Sequence, residues 1–139
     1  MANKLFDKAR NGFARGDIHW KAGGDTFRAY LVDIHAGAGY TKNLANDQFL
    51  SAIPSACLAA YIALAPADPV AGVCDAADVT FLAVSAGICE AIVIVKWVTN
   101  AADSPLVAYI DNATGLPVTP NGGNIPVIFD QGANKIFKL

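Results

Sequence analysis

The sharpest chemistry open to this chain lies in a tripeptide that occurs twice, Asp17-Ile18-His19 and Asp33-Ile34-His35. On extended backbone the Asp and the His of each copy point to one face. Two such pairs on neighbouring strands would offer two imidazoles and two carboxylates to a divalent metal. The same spacing arises when polar residues line a solvated face and Ile18 and Ile34 the buried one. The rest of a ligand shell and its orienting partners are not visible in the sequence. The sequence therefore assigns no metal ligand and no cofactor.

Other polar clusters point to turns. Asp75-Ala76-Ala77-Asp78 precedes an apolar run, and Asp103 and Asp111 flank others. Asp111-Asn112-Ala113-Thr114-Gly115 begins like a calcium loop but lacks the closing Glu. Side-chain capping of turns by Asp and Asn accounts for all of these. Gly23-Gly24 and Gly122-Gly123 do not follow a strand and open a helix with the spacing of a phosphate loop. Ser51, Ser55, Ser85 and Ser104 lack the nucleophile-elbow motif. Two His and 16% charged residues leave few general acids and bases to place in a cleft. No catalytic residue is assigned, and the expectation is a protein that is not an enzyme.

Cys57, Cys74 and Cys89 are odd in number and match no zinc or CxxC spacing. With no His, Lys or Arg beside any of them, they read as reduced, buried, small apolar residues. One intramolecular disulfide across a sheet stays open at this level. The large aromatics, among them Trp20, Trp97, Tyr40 and Tyr61, suit either a core or an interface. In a chain that is 54% hydrophobic, apolar surface beyond the needs of the core finds its outlet in assembly. Leu5, Phe6, Phe13, Trp20, Tyr40, Trp97 and Pro126 are the candidate interface residues.

The elements that must position these groups follow from length and punctuation. At 139 residues the chain suits one domain, residues 1–139, with a core large enough to need no staple. A net charge of -2 lacks the basic footprint of a nucleic-acid binder. No stretch approaches the ~18 apolar residues of a membrane span, and MANKLFDKAR has no apolar signal core, so a soluble protein made in a cytoplasm is expected. Leu5, Ala9 and Phe13 recur at helical spacing, predicting one amphipathic helix over Asn3 to Arg15, capped by Asn3 and ended by Gly12 or Gly16. Residues 1–16 thus form a helical arm and 17–139 a β-sandwich.

Beyond Asp17, short apolar runs alternate with Gly, Pro, Asn and Asp clusters. Eight strands are predicted: Asp17 to Trp20, Thr26 to Asp33, Ala56 to Leu64, Val79 to Val84, Ile88 to Val98, Leu106 to Asp111, Ile125 to Asp130 and Lys135 to Leu139. Such dense strands leave no room for parallel crossovers. The fold class is mainly β: an antiparallel β-sandwich of about eight strands with a short N-terminal α-helix. Ser85-Ala86-Gly87, Asn121-Gly122-Gly123 and Gln131-Gly132-Ala133-Asn134 read as hairpin turns, making the last four strands a meander. Ile34 to Tyr40 reads as a loop, and Asn46 to Ser51 as one helical turn before Pro54. The run Ala91-Ile92-Val93-Ile94-Val95 does not alternate, so it must be covered on both faces. Pro126, lacking an N–H, confines its strand to an edge or an irregular start.

A resemblance adds to this reading. Gly16-Asp17-Ile18-His19-Trp20, Ala29-Tyr30-Leu31-Val32-Asp33, Phe49-Leu50-Ser51-Ala52-Ile53-Pro54, Glu90-Ala91-Ile92-Val93-Ile94 and above all Leu116-Pro117-Val118-Thr119-Pro120-Asn121-Gly122-Gly123 carry it. Nearly the whole chain resembles small virion-associated proteins of tailed bacteriophages and prophages, mostly without assigned function. The cysteines and the Ala-rich Cys57 to Ala67 stretch depart from that pattern.

The resemblance implies a structural component of the phage particle, assembled in the bacterial host cytoplasm. A capsid decoration or cement protein is the favoured form, partnered by other phage structural proteins such as the major capsid protein. It would be a homo-oligomer, with a trimer favoured. A tail or neck protein of the head-tail connection is the first alternative. A receptor- or glycan-binding module using Tyr40 or Trp97 is the second. Neither nucleic acid nor membrane is expected as a partner.

Overall fold

A computed structural model describes residues 4–111, 113–133 and 135–139. Among the described residues the elements are β1 (Lys4–Leu5), α1 (Asp7–Arg15), β2 (Phe27–Val32), β3 (Leu58–Leu64), β4 (Val73–Cys74), β5 (Val79–Phe81), β6 (Ala91–Lys96), β7 (Leu106–Ile110), β8 (Ile125–Val127) and β9 (Phe137–Lys138). The strands build a mainly β, antiparallel sandwich. One sheet has the order β1-β7-β6-β2-β3, and two ribbons, β4-β9 and β5-β8, complete it.

The chain start differs from expectation. Lys4 and Leu5 pair with Tyr109 and Ala108, and the Phe6 N–H donates to the Val107 carbonyl, so this stretch finishes the β7 edge instead of opening a helix. The helix begins at Asp7 behind an extended Phe6, and the expected cap Asn3 lies outside the described residues. Gly16 does end it, at φ 80°, which glycine reaches without a Cβ penalty. Leu5, Phe6 and Ala9 are buried. Residues 4–15 therefore pack onto the sandwich through Leu5, Phe6 and Ala9.

Asp17 to Trp20 is not a strand either. Ile18 and Trp20 alternate inward as a strand would, but no ladder forms. Trp20 is held by Phe27, Phe137 and an Nε1–H bond to the Asp75 carbonyl. Alternation reports burial, and a strand needs a neighbour besides.

The expected meander is also corrected. β6 lies between β2 and β7, whereas β5 pairs with β8 and β4 with β9. Ser85 to Gly87 joins strands of different sheets, and the Asn121 and Gln131 turns likewise close no hairpin. Asn134, at the end of the last of these, lies outside the described residues. Ala91 to Val95 have no exposed surface at all, so the chain itself covers both faces of β6. Pro126 sits opposite Thr80 in the two-stranded ribbon, where its missing N–H breaks no central ladder. Leu50–Ala52 makes a single 3-10 turn before Ile53 and Pro54. Phe81, Leu31, Ile92 and Ile110 are among the fully buried side chains, each worth about 1.5–3 kcal/mol of burial.

Candidate functional site

Strands β2 and β6 are antiparallel, with Val32 opposite Ala91. The residue after the end of β2, Asp33, and the one before the start of β6, Glu90, are therefore brought to one end of the sheet. The chain turns sharply after Asp33, with the Tyr40 N–H donating back to the Ile34 carbonyl, and this turn carries His35 over Glu90. His35 Nδ1 lies 3.1 Å from Glu90 Oε1. The Ile34 N–H donates to Glu90 Oε2 at 3.0 Å, and the His35 N–H to Asp33 Oδ1 at 2.9 Å. One donor atom from each of Asp33, His35 and Glu90 falls within 4.8 Å of the others, the single such group of three among the described residues. Asp33 is buried, Glu90 half-buried and His35 exposed.

Two free, buried thiols flank this cluster. Cys57 Sγ points at the Ala36 carbonyl and Cys89 Sγ at the Gly87 carbonyl. Burial first, then the negative charges of Asp33 and Glu90, push the Cys57 thiol up and the Cys89 thiol to about 11. Both are held in the thiol form at neutral pH. The disulfide left open by the sequence does not form among Cys57, Cys74 and Cys89.

The other Asp-Ile-His copy is spent on structure. Asp25 Oδ2 accepts the His19 N–H at 2.7 Å and lies 3.3 Å from Lys96 Nζ and 3.4 Å from His19 Nδ1. Burial would raise Asp25, but the His19 N–H and the Lys96 charge outweigh it and hold the carboxyl below its usual range. Asp17 pairs with Arg15 at 2.8 Å. A joint site of both copies on neighbouring strands does not form, because Asp17 to His19 lies in irregular chain and His35 in the loop expected after Asp33. Of the acids expected to cap turns, Asp103 closes one with Asn100, whereas Asp78 ties two distant segments together. Asp78 Oδ1 accepts the Phe129 N–H, and Asp103 and Asn100 bond each other. Asn112 of the calcium-like stretch lies outside the described residues.

The candidate interface residues divide. Leu5, Phe6, Trp20 and Tyr40 are buried within the subunit and present nothing to a neighbour. Tyr40 donates its hydroxyl to Asp47 at 2.7 Å, and burial followed by that carboxylate holds its ionisation far above the ordinary range. Phe13 is half-buried against Phe137. Trp97 is half-buried, with the Arg28 guanidinium 3.8 Å above its ring, while Tyr61 flanks the same guanidinium at 4.3 Å. Pro126 is exposed.

Exposed large apolar side chains include Tyr61, Val70, Leu82, Ile88, Val98, Ile128 and Leu139, and of these Leu82 and Ile128 lie on the ribbon around Pro126, the interface candidate that is exposed. In the β5-β8 ribbon, Val79, Phe81, Ile125 and Val127 face in. The opposite phase carries Thr80, Leu82, Pro126 and Ile128, with Leu82 67% and Ile128 45% exposed. A hollow of about 300 Å³ beside Pro126 is lined by Val118, Thr119, Pro120, Asn121 and Ile125 among others. The sequence signal for that face was present: Phe81-Leu82 and Val127-Ile128 are apolar at both phases, as in a strand covered twice. Comparison with protein families and with curated proteins finds no match for this chain.

Proposed function

We propose that this chain is a structural component of a tailed-phage virion, a capsid decoration or cement protein that strengthens the head by repeated subunit contacts. Supporting this reading are the resemblance over nearly the whole chain, the antiparallel sandwich and, above all, the outward apolar phase of the β5-β8 ribbon. A two-stranded ribbon that is core on one face and carries Leu82, Pro126 and Ile128 on the other is built to be covered again. Val118 to Asn121, within the most specific part of the resemblance, line the hollow next to that face. The mechanism is passive. A neighbouring copy or the major capsid protein covers the face, burial contributes about 25 cal/mol per Å², and symmetry repeats the contact.

The contact surface is the ribbon and not the N-terminal helix, whose apolar stripe is already used inside the subunit. Quantitative mass spectrometry of virions from the phage or induced prophage that encodes the chain tests the proposal. Copies in the hundreds per particle are expected. A low multiple of three or six would make it a tail or neck protein, and absence from purified particles would overturn the reading.

A further inference from the structure

We propose that Asp33, His35 and Glu90 form a binding site for one divalent transition-metal ion, taken through an imidazole nitrogen and one oxygen of each carboxylate. Three observations carry this. First, the spacing is close to that of a shared ion and needs only a small side-chain shift to reach it. Two donors ~2.1 Å from one tetrahedral centre lie ~3.4 Å apart. His35 Nδ1 and Glu90 Oε1 stand at 3.1 Å, and the three donors fall within 4.8 Å of one another.

Second, no permanent cation offsets the two carboxylates among the described ion pairs. Asp33 is 8% exposed, and neither it nor Glu90 has a Lys or Arg partner among the described ion pairs, whereas half-buried Asp25 has Lys96. Among the described residues nothing donates to Asp33 Oδ2. A carboxylate taken out of water is ordinarily paired or bound to a metal. Third, glycine at residue 87 leaves the free oxygen room that any side chain would take. A Cβ there would stand 2.5 Å from Asp33 Oδ2 and meet no other group within 4 Å apart from that carboxylate.

The backbone has already fixed the ligands. The Ile34 N–H holds Glu90 Oε2 and the His35 N–H holds Asp33 Oδ1, which leaves one oxygen of each to turn to the ion. One nitrogen and two oxygens suit Zn²⁺ or a similar ion better than Ca²⁺, which takes six to eight oxygens. Three protein ligands leave at least one position open to water. The ion would clamp the turn after β2 to the start of β6. The site stands independently of the virion role, so either can fail alone.

The test is calorimetric titration of the untagged full chain with Zn²⁺, with Co²⁺ absorption spectra as a second readout. One Zn²⁺ per chain is expected. His35→Ala, whose side chain is 78% exposed and so not needed for folding, and Glu90→Gln should each weaken binding at least tenfold. His19→Ala should leave it unchanged. No saturable binding up to about 1 mM Zn²⁺ would overturn the site. So would binding that survives both His35→Ala and Glu90→Gln, or a preference for Ca²⁺.

Discussion

Replacing Leu82 and Ile128 by alanine separates a contact surface from an ordinary exposed one. Complete burial of a Leu or Ile side chain is worth about 1.5–3 kcal/mol. Leu82 is 67% and Ile128 45% exposed in the subunit, so covering them by a neighbour gains about 1–2 and about 1 kcal/mol, respectively. The double variant should therefore weaken each contact by about 2–3 kcal/mol, or ~30–150-fold. In the free subunit the covered parts of the same side chains already contribute, so folding stability should fall by about 0.5–1 kcal/mol for Leu82 and about 1–1.5 kcal/mol for Ile128. The assay is retention on purified heads, read by co-sedimentation, beside urea melts of the isolated protein. Full retention would refute the role given to the ribbon. A fall of several kcal/mol in subunit stability would refute the claim that its outer face is free.

Stability carries further predictions. Ser104 is wholly buried, donates its hydroxyl to the Asn100 carbonyl at 2.7 Å and accepts the Val98 N–H at 3.0 Å. Ser104→Ala should cost about 1–2 kcal/mol in denaturant melts, and an unchanged midpoint would show that the bridge contributes nothing. Burial raises the Cys74 and Cys89 thiols from 9.0 to about 11 each. Because the unfolded chain ionises first, stability should be complete below pH ~9 and fall toward pH ~11, by at most about 2.7 kcal/mol per thiol. A flat urea midpoint from pH 8 to 11 would contradict that burial. Gly87→Ala places a methyl group against Asp33 Oδ2, so it should lower the thermal midpoint and cut Zn²⁺ affinity together. Loss of neither would mean that the turn yields freely.

Strand content was legible because the chain alternates and punctuates clearly. Phe27 to Val32, Leu106 to Ile110 and the doubly covered Ala91 to Val95 appear where period and composition put them. Pairing was not legible. Whether β5 meets β6 or β8 depends on which faces remain uncovered, and a three-residue link with glycine looks the same when it joins two sheets. Gly87 illustrates the ambiguity, since its lack of a Cβ serves the close approach of Asp33 and not a hairpin. Leu5 belongs to the helical period of the first fifteen residues, but an unpaired β7 edge claimed it for a ladder.

The site was half visible. Asp33 and His35 were singled out as a pair, but the third donor, Glu90, is 55 residues from His35 in sequence and joins them only through the β2-β6 register. The second pair was drawn away by Lys96 and Asp25, an ion pair that no local spacing announces.

A reconstruction of the intact particle at side-chain resolution bears most directly on the central claim. The account predicts many copies on the capsid exterior, each with Leu82, Pro126 and Ile128 covered by an adjoining subunit. Copies whose ribbon face looks into solvent, or particles in which this chain has no density on the head, would contradict it.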